Sequence, residues 1–600
     1  MKKNNKIIIY YLSFILGLSL IIFSWIKSYP ISITDYQDFT IQHIYPFFFI
    51  GLSLALISLF FITLNTKKKV NRVFCIFGFV LLFYSINFFY PLLPGPDSQY
   101  FMGLTKYFIE TNNPNFNANS YFQWPGLFIF AKFISFITGI KDINTIAIII
   151  FLLVGFTLSF TFYFIFRKQS KKYAPILAVI YFLIMFYFIN YQYAAQSLAI
   201  AILFLLIVLT LNKEKNNRLW MIVLFCALVI THAFMATFFI FYLVAYLFFS
   251  KIFKKNEKNK NISWIIVIVC LAMYLCYLNF VAVDLRNDLG DVIKNSALGD
   301  KNINFNIFTR YTGLAVHRPI TYTEYLEPQK EAPELTGLSI LESSNVPSQQ
   351  VIINTNDNNL FWININNYSQ IISRTLIISL IVLLIIGFII LFFQKKIEIE
   401  ILSIGVAGFI YMAFGTLINI LGERGLQLLT IPICVGAIFF LDNKNLRKIF
   451  LIYFIILLLI FPLVIIHSNF DNQLYQEYHE KVAGDFFIGF INNIKSEQKI
   501  QSHFFIFGRH DMALYTFGSL DLSNYKWKNV DTERYILSLS SLRRNKYDYI
   551  FYSNNLKKSL IKKFRSPPQI ITEISKGYEK DYNKVYNNKG TSIYSIKFLY

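Results

Sequence analysis

The sequence predicts a mainly α-helical, polytopic membrane protein with a small α/β domain outside the membrane at its C-terminal end. Of its 600 residues, 55% are hydrophobic and only 15% are charged. The apolar residues form repeated continuous runs long enough to cross a bilayer, which takes about 20 residues per helix. These runs do not alternate with polar residues, and unpaired backbone groups are costly in lipid. The spanning elements are therefore predicted to be helices and not barrel strands.

The first apolar segment, at about 7–25, is predicted to be a retained helix. It follows Lys2, Lys3 and Lys6 but lacks a small-residue cleavage site. The net charge of +22 raises the question of nucleic-acid binding, but most Lys and Arg of the membrane half lie in short loops between apolar runs. Membrane orientation explains that pattern better, and no nucleic-acid partner is expected.

Basic clusters between the apolar runs predict how the chain is oriented. By the positive-inside rule, these clusters and the N-terminus face the cytoplasm of a multi-pass protein in the cell membrane. The clusters lie at 67–72, 167–172, 213–218, 251–260, 395–396 and 444–448.

The segment "WPGLFIFAKFISFITG", residues 124–139, is predicted to lie in the membrane interface and not to cross. A crossing here would put 167–172 on the wrong side. Pro125 suits a first helical turn and Gly139 a C-terminal cap. The roughly 14 residues between them rise only about 21 Å, short of the roughly 30 Å hydrocarbon core. Trp124 and the many Phe side chains suit an interfacial helix.

With that choice, the sequence predicts about thirteen spans and places the C-terminus outside. The predicted spans are 7–27, 45–64, 73–92, 143–166, 173–190, 194–211, 218–232, 234–250, 262–282, 371–393, 400–421, 427–441 and 447–467. Four regions follow: 1–282, an N-terminal transmembrane region with an outer loop and interfacial helices at 94–140; 283–370, a long extracytoplasmic loop; 371–467, the C-terminal transmembrane helices; and 468–600, an extracytoplasmic soluble domain.

The two outer regions differ in pattern. Residues 283–370 are polar and rich in Asn, and loops of this length are usually functional or disordered. Residues 468–600 combine a predicted helix at 476–493 with strand-like runs, which predicts a small α/β domain. The runs are "HFFIFG" (503–508), "YDYIFYS" (547–553) and "TSIYSIKF" (591–598).

Polar side chains that are far apart in sequence map to the outer face under this topology. Such residues near bilayer depth are costly and indicate a functional site. They are Asp97, Gln99, Tyr100, Gln123 and Trp124 after the third span; Asn190, Gln192 and Gln196 between the fifth and sixth; His232 between the seventh and eighth; and Glu423 and Arg424 after the eleventh.

These candidates also have structural interpretations. Asp97 suits the N-cap of a helix that starts at Ser98 and carries Phe101, Leu104 and Phe108 on one apolar face.

The remaining candidates are open to the same two interpretations. His232 suits a satisfied histidine at a helix end. Gln192 and Gln196 can hydrogen-bond neighbouring helices instead of a substrate. Arg424 can pair with the adjacent Glu423, or it can bind a phosphate bidentately through two guanidinium N–H groups.

The motifs of several enzyme classes are missing from the sequence. It contains no phosphate-binding glycine loop, no paired CxxC, no HExxH and no GxSxG. An ATP-driven reaction within this chain is therefore not expected, and any transferred group is expected to arrive already activated. The cysteines all fall inside predicted helices, which argues against a disulfide framework. They are Cys75, Cys226, Cys270, Cys276 and Cys434.

Three segments and the order of the parts of the chain resemble a known family. The segments are "YFQWPGLFIFAKFISFITGI" (121–140), "YQYAAQSLAIAILFLL" (191–206) and "NKVYNNKGTSIY" (583–594), and the order is spans, an outer acid, interfacial helices and an outer C-terminal domain. In these features the chain resembles the GT-C glycosyltransferases, which include protein O-mannosyltransferases and oligosaccharyltransferase catalytic subunits, and the closer resemblance is to archaeal multi-pass members. The segments are similar, in order, to their Tyr/Trp-Pro-Gly segment that ends in Thr-Gly-Ile, to their Gln-rich helix start at an outer turn and to their closing strand pair.

The resemblance implies transfer of a sugar from a polyprenyl-phosphate-linked donor to a glycan or protein acceptor on the outer face. Asp97 would act as general base, a role typically worth roughly 10²- to 10⁴-fold in rate. Arg424 would bind the donor phosphate, and His232 would orient either partner. A divalent metal is left open. The other substrate-binding candidates are Tyr100, Gln123, Trp124, Gln192 and Gln196.

Three alternatives stand beside this interpretation. An O-antigen polymerase or ligase type of enzyme would use Arg310, His317 and Arg318 of the long outer loop. A transporter would show paired repeats with broken helices, and no convincing internal duplication is present. A non-catalytic scaffold or receptor would bind a partner through its outer domain.

Overall fold

The structure is a computed structural model in which sixteen α-helices dominate the described part of the chain. It describes residues 3–29, 44–90, 93, 98–110, 120–188, 193–211, 217–253, 263–282, 357–417, 422–470, 549–553, 583–588 and 591–595.

Eleven α-helices precede the long outer loop. They are α1 (Lys3–Ser28), α2 (Phe47–Asn65), α3 (Lys69–Phe83), α4 (Ser98–Glu110), α5 (Gly126–Thr138), α6 (Ile143–Gln169), α7 (Ala174–Phe188), α8 (Ala195–Leu211), α9 (Asn217–Thr231), α10 (Ala233–Ile252) and α11 (Trp264–Phe280). Short 3-10 helices at Ser85–Phe89 and Ser120–Gln123 flank α4.

Five more helices follow the loop. They are α12 (Asp357–Phe393), α13 (Ile399–Leu417), α14 (Gly422–Val435), α15 (Ala437–Asp442) and α16 (Lys444–Phe470).

Seven helical segments in the described residues are long and apolar enough to cross a membrane. They are 7–28, 47–65, 143–169, 234–252, 371–393, 425–442 and 444–462. Each coincides with a predicted span, and the other predicted spans also fall on helices, most of them shorter apolar helices of 10–17 residues. The chain therefore has the build of a helical membrane protein, and the count of thirteen crossings stays a prediction.

Two boundaries differ from the sequence prediction. The predicted span 73–92 is an α-helix only to Phe83 and continues as the 3-10 helix at Ser85–Phe89, just before the prolines at 91, 94 and 96. Helix α12 starts at Asp357, so the last fourteen residues of the predicted loop 283–370 are helical. The start of α12 was predicted to be loop because it is rich in Asn. The Asn side chain hydrogen-bonds nearby backbone groups in non-helical conformations, which disfavours an isolated helix.

Four of the predicted cytoplasmic clusters meet at one end of the helices, here called the basic end. Arg72 donates from Nη1 to the carbonyl oxygen of Lys171, at 3.0 Å. The Gln169 side chain donates to the Lys396 carbonyl at 2.7 Å and accepts from the Glu398 backbone N–H at 2.9 Å.

The fourth cluster joins through a backbone carbonyl shared by two side chains. Tyr173 Oη donates to the Leu441 carbonyl at 2.9 Å, and Arg447 Nε donates to the same oxygen at 2.6 Å. Because residues 72 and 171 lie at the same end, the chain between them makes an even number of passes. The predicted spans 73–92 and 143–166 already make two passes. This supports the prediction that 94–140 stays at the end of the helices opposite the basic end.

We expect the ion pair at the basic end to stabilise the fold modestly. Lys168 Nζ lies 3.5 Å from Glu400 Oε1, and these side chains are 30% and 11% exposed. A double-mutant cycle of Lys168→Met and Glu400→Gln should give a coupling of about 1 kcal/mol, between exposed and buried pairs. The free energies of unfolding of the four proteins in detergent give this coupling. Lys171→Met, which keeps the Lys171 carbonyl contact, is the control and should change stability little. A coupling indistinguishable from zero would show that solvent screens the pair fully.

Glycines allow three pairs of helices to cross at backbone contact, as is common where helices pack in lipid. A Cβ on Gly17 would lie 2.8 Å from the Gly51 carbonyl oxygen, at the α1–α2 crossing. A Cβ on Gly425 would lie 2.7 Å from the Gly408 carbonyl oxygen, at the α13–α14 crossing. The third crossing joins α12 to Gly436, the residue between α14 and α15.

Helix α5 has the ends that the sequence predicts, and it has one buried and one exposed face. Pro125 precedes it, and Gly139 caps it in the left-handed region at φ +70°. One face is buried and contains Leu127, Phe128, Ala131 and Ile134. The opposite face is exposed and apolar, with Phe136 at 86% and Ile137 at 63% exposure. Such a helix suits the membrane interface.

Three strands are described near the C-terminus: β1 (Tyr549–Ser553), β2 (Asn583–Asn588) and β3 (Thr591–Ser595). They form an antiparallel sheet in the order β1-β3-β2, with Tyr549 and Asn583 both opposite Ser595. Two of the strand-like runs, 547–553 and 591–598, contain β1 and β3. The predicted helix 476–493 and the run 503–508 lie outside the described residues, so the α/β domain stays a prediction.

Candidate functional site

The start of α4 is bonded to the turn before α8, at the end of the helices away from the basic end. Ser98 Oγ accepts a hydrogen bond from the Tyr193 backbone N–H at 3.0 Å, and Tyr193 Oη lies 2.9 Å from Thr105 Oγ1. Burial raises the pKa of the Tyr193 phenol, so this hydroxyl stays neutral. The residue after Asp97 is thus in direct contact with the residue after Gln192.

Helix α4 itself behaves as the sequence predicts. It begins at Ser98, and the predicted apolar face of Phe101, Leu104 and Phe108 is buried. The Lys132 ammonium of α5 donates to the Phe108 carbonyl at 3.1 Å. These contacts hold α4 and α5 together as one layer.

Five aromatic side chains meet beside this layer and are here called the aromatic corner: Tyr121, Trp124, His232, Phe234 and Tyr277. The Trp124 ring centroid lies 5.7 Å from that of His232, 6.2 Å from Tyr121 and 6.3 Å from Phe234. Tyr277 Oη of α11 donates a hydrogen bond to the Gln123 carbonyl. Trp124 and His232 expose only 7% and 6% of their surface.

Local sequence builds this corner from a break between two helices. His232 has extended backbone, φ −166° and ψ 102°, between the end of α9 and the start of α10. Its backbone N–H bonds to the Leu228 carbonyl, which ends α9. Gly126 brings α5 against this break, because a Cβ there would lie 2.7 Å from the Thr231 Cα.

Aromatic contacts join the α4 start to the corner. The Phe101 ring centroid lies 5.0 Å from Tyr121, which in turn contacts Trp124. A continuous row of rings therefore runs from one turn beyond Ser98 to His232. Ala282, the last described residue before the predicted outer loop 283–370, also packs against Trp124.

Replacing Tyr277 with Phe is expected to destabilise the protein by about 1 kcal/mol, the typical net contribution of one hydrogen bond. The Gln123 carbonyl would lose its described side-chain donor, and hydrogen exchange at 121–126 should speed up. Tyr11→Phe is the matched control, because Tyr11 is 48% exposed on α1. Equal losses in both variants would mean that the Tyr277 bond contributes nothing specific.

The structure brings together several of the predicted site residues. Trp124 and His232 are in contact, Gln123 is half-buried beside them, and Gln196 is half-buried in the first turn of α8.

Other predicted residues cannot be placed in the same way. Asp97 and Gln192 lie outside the described residues, as do Arg310, His317 and Arg318 of the alternative reading. Tyr100 lies in α4 and Arg424 in the first turn of α14, but their side chains are outside the described part. That Asp97 and Arg424 belong to one site at the outer face therefore stays a prediction.

Sequence reasoning missed Ser98, Thr105, Tyr193 and Tyr277 as parts of this region. Each sits in or beside an apolar segment, and no local pattern distinguishes it from an ordinary helix residue. The signal available for two of them was adjacency, since Ser98 follows Asp97 and Tyr193 follows Gln192.

The distance between the two ends of the helices follows from α6. The Leu93 N–H donates to Asn144 Oδ1 at 3.1 Å, and Asp142 caps α6 by accepting from the Thr145 N–H at 2.9 Å. Helix α6 then runs 27 residues to the basic end. At 1.5 Å per residue it separates the two ends by about 40 Å.

Within the described residues no three His, Cys, Asp or Glu side chains come together as a metal site. Asp97 is not among those residues, so a divalent metal stays part of the prediction. Comparison of the chain with family models and with characterised proteins gave no match. The fold therefore defines the class of this protein: it is a helical protein in which seven described segments are long and apolar enough to span a membrane.

Proposed function

We propose that this protein is a membrane glycosyltransferase that moves a sugar from a polyprenyl-phosphate-linked donor to a glycan or protein acceptor on the outer face. The observation that carries the proposal is the contact of Ser98 with Tyr193, joined through Phe101 to the aromatic corner. These contacts draw the neighbourhoods of Asp97, Gln192, Trp124 and His232 to one end of the helices. Two of the three segments that carry the resemblance to GT-C enzymes, 121–140 and 191–206, belong to this region.

The chemistry needs a base, a cation and a path for the leaving group. The acceptor hydroxyl oxygen attacks the anomeric carbon while the bond from that carbon to the phosphate oxygen breaks. The polyprenyl phosphate leaves with the electron pair, and the Asp97 carboxylate takes the hydroxyl proton. Arg424, with or without a divalent metal, neutralises the phosphate. Gln192, Gln196, Tyr100 and Gln123 hold the polar parts of the substrates, and His232 orients them.

The position of the region suits a lipid substrate. The exposed apolar face of α5 lies beside the corner, so a donor in the outer leaflet reaches the site without leaving the membrane. The segments 283–370 and 468–600 are the proposed acceptor-binding parts, because both are predicted to be outside and the first follows Ala282, which packs against Trp124.

A reconstituted transfer assay tests the proposal. Proteoliposomes with purified protein receive polyprenyl phosphate carrying a radiolabelled hexose, with cell-envelope extract as acceptor. We expect label to leave the lipid fraction and enter the acceptor fraction. Failure across the common hexoses, with protein that is folded and inserted, would contradict the proposal. Loss of transfer from Arg318→Ala together with full activity of Asp97→Asn would favour the polymerase or ligase type instead.

A further inference from the structure

The indole N–H of Trp124 is a buried hydrogen-bond donor that lacks an acceptor within the described part of the chain. Trp25 shows the usual arrangement: its Nε1 donates to the Phe88 carbonyl at 2.8 Å, although Trp25 is 39% exposed. Trp124 is only 7% exposed. A buried donor without an acceptor carries its full desolvation penalty, so such a group calls for a functional explanation.

The chemistry of the corner restricts what that acceptor can be. An indole N–H donates and cannot accept, so the ligand must bring an acceptor oxygen. The rings around Trp124 are those of Tyr121, His232 and Phe234, which form an aromatic wall. A phosphate is held best by a guanidinium or an ammonium group, and the aromatic corner contains neither. A neutral hydroxyl oxygen on a ring with an apolar face matches this wall better.

We propose that Trp124 is a specificity-determining residue that donates its indole N–H to one hydroxyl oxygen of a saccharide bound at the aromatic corner. The inference rests on the proposed function and names the part of the substrate that lies here: the sugar, not the phosphate or the lipid chain. Mostly apolar walls with a few placed polar groups are the usual build of a site that orients one ligand. The sugar comes from the donor or from a glycan acceptor.

Fluorescence tests the binding without any transfer reaction. A variant keeps Trp124 and replaces every other Trp with Phe, and its emission is followed on addition of methyl hexosides or of polyprenyl phosphate. Methyl hexosides should shift the Trp124 emission saturably, and polyprenyl phosphate without sugar should not. A shift with polyprenyl phosphate alone overturns the inference, and so does the absence of a shift with methyl hexosides, polyprenyl phosphate and a lipid-linked hexose alike. If only a lipid-linked hexose shifts the emission, the sugar belongs to the donor and the inference stands.

Substitution tests the hydrogen bond itself. Trp124→Phe keeps an aromatic ring and removes the N–H, and it should weaken hexoside binding about tenfold, as for one lost bond. A series of monodeoxy hexosides should contain one that binds about tenfold more weakly to the wild type but not to Trp124→Phe. A merely structural Trp124 would leave all deoxy effects unchanged between the two proteins, and that result overturns the inference.

The matched control is Trp25→Phe, which removes an indole N–H donor on α1. This variant should leave hexoside binding unchanged. If Trp124→Phe does not fold, the single-tryptophan titration decides alone. The two proposals also fail differently. Hexoside binding without transfer would remove the transferase proposal only, whereas transfer with equal deoxy effects in both proteins would remove the role of Trp124 only.

Discussion

Replacing Asp97 with Asn is expected to lower the rate of sugar transfer by roughly 10²- to 10⁴-fold, the usual contribution of a positioned general base. Asparagine has nearly the same shape but cannot take the proton of the attacking hydroxyl. The measurement is the transfer assay in proteoliposomes, with folded protein quantified by size exclusion.

Asp142→Asn is the matched control for Asp97→Asn. Asp142 also lies between the third span and α6, and its carboxylate caps α6 through the Thr145 N–H and hydroxyl at 2.9 and 2.6 Å. Asparagine is an equally good N-cap, so this variant should fold and transfer sugar normally. Full activity of Asp97→Asn would remove Asp97 as the base, and equal losses in both variants would mean that charge in this segment matters only for folding.

Replacing Gly436 with Ala is expected to destabilise the protein by more than about 3 kcal/mol, the upper range for overpacking. Gly436 has ordinary right-handed helical backbone, φ −54° and ψ −26°, so conformational freedom is not the reason. An added Cβ would overlap the Leu384 carbonyl oxygen and lie 2.7 Å from the Phe388 backbone nitrogen. Single backbone atoms of α12 cannot move aside. The whole of α12 must therefore move away from the segment that contains Gly436. Thermal unfolding in detergent measures the loss.

Gly155→Ala, in the middle of α6, is the control for the crossing at Gly436. A Cβ there meets only side-chain atoms, Val80 Cγ1 at 3.3 Å and Phe77 at 3.6 Å. These side chains can adjust, and Ala favours a helix over Gly by roughly 0.5–1 kcal/mol. This variant should be as stable as the wild type. Similar stability of Gly436→Ala would mean that the α12 crossing is looser than its contacts imply.

The helices could be predicted from the sequence because the signals that form them are local. Apolar runs set their positions, and the ends of α5 follow from Pro125 and Gly139. The buried face of α4 follows from the spacing of Phe101, Leu104 and Phe108. The extra helical turns at the start of α12 were not predicted because their Asn-rich sequence forms a helix only as an extension of the apolar helix that follows it.

The candidate site was predictable only in part. Trp124 and His232 were expected at the same face, and the structure puts their rings 5.7 Å apart. Their contact depends on Gly126, which nothing in its own neighbourhood marks as a crossing point. The Ser98–Tyr193 bond joins residues 95 positions apart, and neither residue is unusual within its segment.

Local signals along the chain specify the parts of the fold: apolar helices, their caps, the basic clusters between them and the polar residues at their ends. Which of these groups meet depends on how the helices pack, as for Arg72 with Lys171 and Tyr277 with the Gln123 carbonyl. The physical reason is the range of the forces involved. Capping and periodicity act within a few residues, whereas contact between distant residues depends on how whole helices pack, and packing is set by all of their side chains together.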